Sequence, residues 1–544
     1  MYSFLVSKRV ETVQTENFSF SGVKRRESEQ KRAMDVSLLP TIPQFFAGRD
    51  IFITGGSGFM GKALIEKILY ACPSVGNIYI LLRPKKNRGV AERLALLKQE
   101  SVFERMRRDK PEQLDKLVAV AGDVAVLEMG ISEEDVRAME NVSIVFHVAA
   151  SVRFDDPLKD AILMNARGTR EVCRFAEKLE NLKVMMHVST SYCNPDWHDI
   201  EEKIYPPYAD WEKAIKIAET YDTELLDIFA PKYTSFQPNT YTFTKSLAEQ
   251  IINDFKEKLP VIIFRPSIVI SSVSEPMPGW IDNFNGPVGL LVGCGLGINR
   301  TLYSNPDNVA DYTPVDIAIR AMISAVWKRG TQEPLDLLPI YNCSTSDKRP
   351  QTFNDVVNLG KELSPQWPFD HTLWAPGGSV TNWKMYNYIK VILLHVLPAI
   401  IIDMALKLSG KKPFILKLQR RIYQANQALA YFVLNVWTFQ NKNLYSLNEG
   451  LQDCDLKAFQ FDYEINTDVK NYFSMAILGT RRYLMHEKDE DLPMARAKFN
   501  RMVLLDKVVK TIVYSALTYF LVVRLDIIPL LVRLTNKNMA QYMN

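Results

Sequence analysis

Residues 50–61, Asp50-Ile51-Phe52-Ile53-Thr54-Gly55-Gly56-Ser57-Gly58-Phe59-Met60-Gly61, decide the fold. The apolar run 50–54 reads as a buried strand. Glycines at 55, 58 and 61 follow it with GxxGxxG spacing, and a helix-like stretch, 61–71, comes next. A strand–turn–helix needs glycine there for three reasons. The chain turns tightly, a pyrophosphate approaches the backbone, and the helix packs close to the sheet. The helix N-terminus then presents unpaired N–H groups and a partial positive charge to phosphate. Thr54, Gly55, Ser57, Gly58, Phe59, Met60 and Gly61 are therefore the expected lining of a dinucleotide site.

Outward from that stretch the sequence alternates. Short Val/Ile/Leu-rich runs at 50–54, 78–82, 117–121, 143–148, 183–188 and 261–265 are separated by helix-like segments at 61–71, 89–106, 159–180 and 240–258. Continuous apolar strands between amphipathic helices predict a parallel sheet covered on both faces. The expected class is α/β, a doubly wound Rossmann-type domain over about 46–350. Residues 1–45 read as a flexible polar extension. Residues 351–490 read as a mainly helical domain, and 508–533 as a membrane-associated hydrophobic segment.

The second strand ends in Leu82-Arg83-Pro84-Lys85-Lys86, and Arg83 lies 22 residues beyond Gly61. An NAD site places a carboxylate near this point to bond the ribose 2′-hydroxyl. A guanidinium here suits a 2′-phosphate instead, which predicts NADPH. Asp123, with Val124 beside it, follows the third strand and could bond the adenine amino group; a turn-forming Asp is the plain alternative. Ala149 and Ala150 follow the fourth strand, small enough for a cofactor to lie close. His147 reads as a packed core histidine.

Tyr241-Thr242-Phe243-Thr244-Lys245 opens the helix 240–258. Tyrosine and lysine at i and i+4 share a helical face. A phenol with a pKa near 10 is a poor acid–base group at neutral pH, and a neighbouring ammonium is expected to lower it. A second YxxxK, Tyr386 to Lys390, lies outside the α/β pattern and reads as chance. The fifth strand ends in Ser189-Thr190-Ser191. A hydroxyl there could bond a developing oxyanion, with Thr190 the first choice and its neighbours as substitutes. Asn165 is either an anchor of the sheet or part of a proton path.

Composition excludes some classes. The 544 residues carry a net charge of only +4, which gives no general electrostatic reason to bind nucleic acid. Six cysteines, none at CxxC spacing, read as reduced thiols. Nothing in the sequence fixes an oligomeric state.

TGGSGFMG, the LLRP turn, GDV, HVAA, VSTSY and YTFTK, in this order, resemble an extended short-chain dehydrogenase. Arg265-Pro266-Ser267, then Pro278-Gly279-Trp280-Ile281-Asp282-Asn283, Asp311-Tyr312-Thr313-Pro314 and Tyr341-Asn342-Cys343 narrow the resemblance to the alcohol-forming fatty acyl-CoA reductases, insect members in particular. It covers roughly residues 40–525, including a "male sterility" domain at about 385–482. Ser191 stands where alanine is usual, and Thr313 where valine is.

The resemblance implies two hydride transfers from NADPH to a long-chain fatty acyl-CoA, with release of CoA and no metal. Thr190 and Tyr241 would polarise the carbonyl, Tyr241 would give the proton, and Lys245 would tune Tyr241 and hold the ribose. Pro266 would join the cofactor contacts. A steroid-type or nucleotide-sugar dehydrogenase and a catalytically inactive membrane scaffold are the alternatives.

Two stretches suggest contact with membrane lipid. Residues 391–402 contain Pro398 and are too short to span; they read as a buried helix or as a lip dipping into lipid. Residues 511–532 are long enough if Arg524 and Asp526 are tolerated. The expected location is a membrane with the catalytic domain facing the cytosol, the endoplasmic reticulum ahead of the peroxisome.

Overall fold

The computed structural model describes residues 39–84, 88–235, 237–332, 338–462 and 467–524. Most of the proposed extension, and Lys85 and Lys86, lie outside these residues. Residues 39–45, assigned to that extension, are instead part of the fold. Thr41 caps the short helix Ile42–Phe46, and Ile42, Phe45 and Phe46 are buried in the core.

Seven parallel strands form the central sheet: β1 (Asp50–Thr54), β2 (Ile78–Leu82), β3 (Leu117–Ala121), β4 (Val142–His147), β5 (Val184–Val188), β6 (Val261–Pro266) and β8 (Ile340–Cys343). Their order is β8-β6-β5-β4-β1-β2-β3. The short β7 (Ile268–Ile270) continues the chain after β6 and pairs with Tyr312–Pro314. The expected class is thus observed. Alternate residues feed two cores: Ile51 and Ile53 pack on one face, Phe52 on the other. That two-sided burial is why the strands read as unbroken apolar runs. Strand order reverses between β1 and β4, so a ligand crevice opens at their carboxyl ends.

The helices that position the site are α1 (Phe59–Ala71), α2 (Thr240–Phe255), α3 (Pro287–Gly295) and α4 (Val315–Thr331). Helix α5 (Phe353–Leu363) begins the mainly helical region. There α6 (Lys384–Leu408) and α7 (Ile415–Leu434) form a hairpin. Asp403 locks it by accepting hydrogen bonds from the backbone N–H groups of Phe414, Ile415 and Leu416 at 2.9–3.0 Å. Helices α8 (Val469–Gly479) and α9 (Leu492–Tyr519) follow. Gly279, at φ +76°, lies backbone to backbone against Gly479, which joins the helical region to the loop after β7.

The buried-helix reading of 391–402 is not observed. These residues lie inside α6, and Leu393, Leu397 and Ile401 are about half exposed. Pro398 does not end the helix because a wide π-turn, Ile392–Val396, precedes it and re-routes the backbone bond that proline cannot make. Among the described residues, Lys384–Leu408 is the helix long and apolar enough to cross a membrane. The emphasis placed on 508–533 shifts accordingly. Its first part continues α9 with exposed Ile512, Leu517 and Phe520, and residues 525–533 lie outside the described residues.

Candidate active site

A cavity of about 750 Å³ runs along the carboxyl ends of the strands. The glycine turn forms one end. Gly55 sits at φ +76°, and a Cβ there would come within 2.6 Å of the Ala149 nitrogen; a Cβ at Gly61 would collide with the Gly55 carbonyl. The turn can therefore close only on glycine, and it leaves the N–H groups that begin α1 facing the cavity. Such a cradle fits a dinucleotide pyrophosphate. Gly55, Ser57, Gly58, Phe59, Met60 and Gly61 line it as expected.

Thr54 does not. Its hydroxyl is buried beneath the turn, bonded to His147 Nδ1 at 2.7 Å on the neighbouring strand. The register pairs Thr54 with His147 across β1 and β4, which turns this side chain away from the crevice. His147 is the core histidine expected: its other nitrogen meets Thr169 at 3.0 Å, and burial drives its pKa down to about 3.

Arg83, Asp123, Val124, Ala149 and Pro266 also line the cavity. The Arg83 side chain is 60% exposed, and its guanidinium stands 3.7 Å from the Asp123 carboxylate. Asp123 also closes its own turn by accepting from Ala125 N–H at 3.0 Å. Arg88 and Arg93, which sequence reading passed over, line the same end. Arg93 donates to the Arg83 carbonyl and so fixes the start of that turn.

At the other end, Asn239 caps α2 by accepting from Thr242 N–H at 2.9 Å, which places Tyr241 in the first turn. Thr190 lies with Tyr241 on the cavity wall, and its hydroxyl interacts with the phenol so as to lower the phenol's pKa. Ser191 spends its hydroxyl on the Arg265 carbonyl at 2.8 Å, which removes one of the substitutes for Thr190. Lys245 donates to the Val188 carbonyl at 2.7 Å. Below it Glu249 and Arg265 form a fully buried bidentate pair at 2.7–2.8 Å.

Electrostatics correct one expectation. Burial raises the Tyr241 phenol well above its ordinary value, and the Thr190 hydroxyl only partly opposes this. The lysine does not lower it. Lys245 is itself pushed down to about 8 by burial, with Glu249 pulling the other way. The physical reason is that Lys245 faces a backbone carbonyl in a dry site. Tyr241 is consequently a protonated donor, suited to reduction of a carbonyl.

Asn165 proves to be a clamp. It lies in the π-turn Ile162–Arg167, where its amide donates to Thr244 Oγ1 at 2.9 Å and to the Ser151 carbonyl at 3.1 Å, and accepts from Ser151 N–H at 2.8 Å. It ties α2 to the loop after β4.

Two sets of contacts had no signal in the sequence. Trp280 stacks on Phe59, ring centroids 5.0 Å apart and planes at 28°, so a loop more than 200 residues downstream supports the glycine turn. Lys62–Asp282, at 2.5 Å, and Lys67–Glu275 hold the same loop to α1. Beside Tyr241, Phe154 stacks at 5.9 Å, and Phe432 of α7 meets both Phe154 and Tyr192. Leu429 and Phe432 thus bring the helical region into the cavity wall. The second YxxxK stands apart: on α6, Lys390 lies 4.2 Å from the Tyr386 ring and bonds Ser379.

Comparison with known proteins completes the description. Two family models, both described as male sterility protein and the first of them NAD-binding, match residues 53–322 and 394–487. Fatty acyl-CoA reductase 1 of Xenopus laevis is 36% identical over 464 residues, 85% of this chain and 90% of its own length. The human protein of that name is 35% identical with the same coverage. Fatty acyl-CoA reductase wat of Drosophila melanogaster is 34% identical over 91% of this chain and 95% of its own. Among solved structures, the reductase domain of a nonribosomal peptide synthetase from Mycobacterium tuberculosis superposes with a TM-score of 0.53 at 16% identity, covering 83% of this chain and 95% of that one. The terminal R domain of the myxalamid pathway gives 0.52 at 18%, covering 81% and 93%. These two establish likeness of fold.

Proposed function

The chain belongs to the fatty acyl-CoA reductase family, and on that basis we propose that it reduces a long-chain fatty acyl-CoA to the primary alcohol with NADPH, releasing CoA. The observation that carries this reading is the convergence of Thr190, Tyr241 and Lys245 on the cavity whose far end is the glycine turn. An inactive scaffold would have no need of a protonated tyrosine set in the cavity wall beside a second hydroxyl.

When bound, NADPH would supply one hydride to the thioester carbon and a second to the resulting aldehyde. The chain does the rest. The glycine turn and the start of α1 hold pyrophosphate, Asp123 and Val124 border the adenine end, and Ala149 and Pro266 leave room for the dinucleotide. Arg83, exposed and only loosely paired with Asp123, would take the 2′-phosphate. Lys245 is anchored at the end of β5 and holds the ribose. Thr190 and Tyr241 donate to the carbonyl oxygen as charge grows on it. In the first stage that oxyanion collapses and CoA leaves as thiolate. In the second, Tyr241 passes its proton to the alkoxide. Phe154, Tyr192 and Phe432 exclude water from this step.

The α6–α7 hairpin supports membrane attachment. The outer side of α6 is hydrocarbon, while its Asn387 and His395 are buried, bonded to Thr301 and to the Arg300 N–H. A helix tied to the protein on one side and bare on the other suits the lipid interface. Lys407, Lys411, Lys412, Lys417, Arg420 and Arg421 at the tip suit anionic headgroups. The proposed location is a membrane, with the active site on the cytosolic side, the endoplasmic reticulum ahead of the peroxisome.

The test is expression in a host without fatty alcohols, followed by lipid extraction. Alcohols should appear with the wild-type chain and be absent with Tyr241→Phe. Alcohol from the variant at the wild-type rate would remove Tyr241 from the mechanism.

A further inference from the structure

A second cavity, about 130 Å³, lies between α3, α5 and α8. Its lining is almost entirely hydrocarbon, including Ile270, Leu291, Val357, Phe369 and Ile477. Lys361 is its charged group, bonded through the ammonium to Asn358 at 3.3 Å, and the other polar groups on it are satisfied or neutral. Ser271 meets the Tyr472 hydroxyl at 3.4 Å, Ser364 donates to the Lys361 carbonyl at 2.9 Å, and burial pushes the Cys294 thiol up to about 12. An apolar space of this kind stays dry and accepts hydrocarbon.

Two elements border both cavities in succession. In β7, Ile268 and Val269 line the catalytic cavity and Ile270 lines the second; at the start of α3, Pro287 lines the first and Val288 the second. β7 and the start of α3 therefore form a wall common to the two cavities.

We propose that this cavity receives the methyl end of the acyl chain and that its depth sets the chain length reduced. The assignment rests on the acyl-CoA reading above. Each methylene transferred from water into such a lining strengthens binding roughly fourfold, so an occupied cavity discriminates between chains differing by two carbons. Apart from Lys361 its lining offers a polar chain end little to bond, so plain hydrocarbon ends are preferred over hydroxylated ones.

Gly360 offers a clean test. It lines the cavity on α5, and a Cβ there would meet nothing within 4 Å. A larger side chain therefore fills space without displacing neighbours. The full-length wild type, Gly360→Ala and Gly360→Leu are given an equimolar mixture of saturated C12 to C22 acyl-CoA with NADPH, and the alcohols are profiled. Gly360→Leu should shift the product maximum at least two carbons shorter. KM for the longest substrates should rise about 10-fold, with turnover of the shortest unchanged, and Gly360→Ala should fall between. Val357→Ala, which deepens the cavity, should shift the maximum longer. An unchanged profile in Gly360→Leu overturns the assignment and leaves the reductase reading standing. So does an equal loss at every chain length with Val357→Ala also unshifted. Wild-type protein that yields no alcohol from any chain overturns the reductase reading and this assignment together.

Discussion

The ammonium of Lys245 donates to the main-chain carbonyl of Val188 at 2.7 Å, fixing α2 to the end of β5. Thr190 is two residues beyond that carbonyl and lines the same cavity wall as the Tyr241 phenol. One lysine thus aligns the strand end and the helix start that carry the two hydroxyls. In the structure this lysine is bonded to the backbone, and desolvation favours the protonated phenol.

This arrangement has a pH signature. The folded pKa of Lys245, about 8, lies below its ordinary 10.5 because burial disfavours the charged form. Below pH 8 both folded and unfolded chains carry the proton, and the penalty is complete. Between about 8 and 10.5 the unfolded chain binds more protons, so stability rises with pH. Against Lys245→Met, which lacks the group, the wild type should gain about 3 kcal/mol of relative stability across that window. Denaturant unfolding of both proteins from pH 7 to 10.5 measures it; a flat difference would mean the ammonium is not desolvated.

Tyr241→Phe removes the proton donor and keeps the ring stacked on Phe154. Its kcat should fall roughly 10²- to 10⁴-fold with NADPH affinity unchanged. Thr190→Val should also lower kcat, by a smaller factor, since one of two donors to the oxyanion remains. Steady-state kinetics with a fluorescence titration of NADPH separates the two effects. Loss of cofactor binding in Tyr241→Phe would make the residue structural.

Arg83→Ala should raise KM for NADPH roughly 10- to 100-fold, the value of a charge-assisted bidentate contact, and leave KM for NADH nearly unchanged. Equal effects on both cofactors would show that Arg83 shapes the turn and does not read the 2′-phosphate.

Leu393 and Ile401, 54% and 55% exposed on α6, can be changed without disturbing the core. Leu393→Lys with Ile401→Lys should move the protein from floating vesicles to the soluble fraction while its thermal melt stays put. A double variant that still floats would assign attachment to another segment.

Much of this was legible in the sequence, for identifiable reasons. β1 to β6 are apolar on both faces, all but the edge strand β3 almost wholly buried, so each reads as an unbroken apolar run with ends correct to about one residue. β8 was not legible, because Asn342 sits in its centre. That amide is fully buried, donating to the carbonyls of Ile200 and Gln440, and a polar residue satisfied only in three dimensions resembles a loop in one. The segment 159–180 reads as one helix; the π-turn that seats Asn165 leaves no mark on its periodicity. The glycine turn and the Tyr241–Lys245 pair were legible from local spacing, whereas spacing alone did not separate Thr190 from Ser189 and Ser191; the bond of Ser191 to the Arg265 carbonyl removes one of the two. Trp280 under Phe59, and Phe432 beside Tyr192, were not, since aromatic contacts between distant segments have no local pattern. Hydropathy alone could not show which side of α6 is bare, because lipid and core ask for the same residues.

The central claim is that one half-buried, protonated tyrosine serves two successive reductions of a fatty acyl thioester. The direct measurement incubates purified protein with a long-chain acyl-CoA and NADPH carrying deuterium at the transferred position, then weighs the product. The account predicts a primary alcohol with two deuterium atoms on carbon 1, two NADPH oxidised per CoA released, and neither product from Tyr241→Phe. An aldehyde with a single deuterium as the end product, or NADPH left unoxidised in the presence of acyl-CoA, would contradict it.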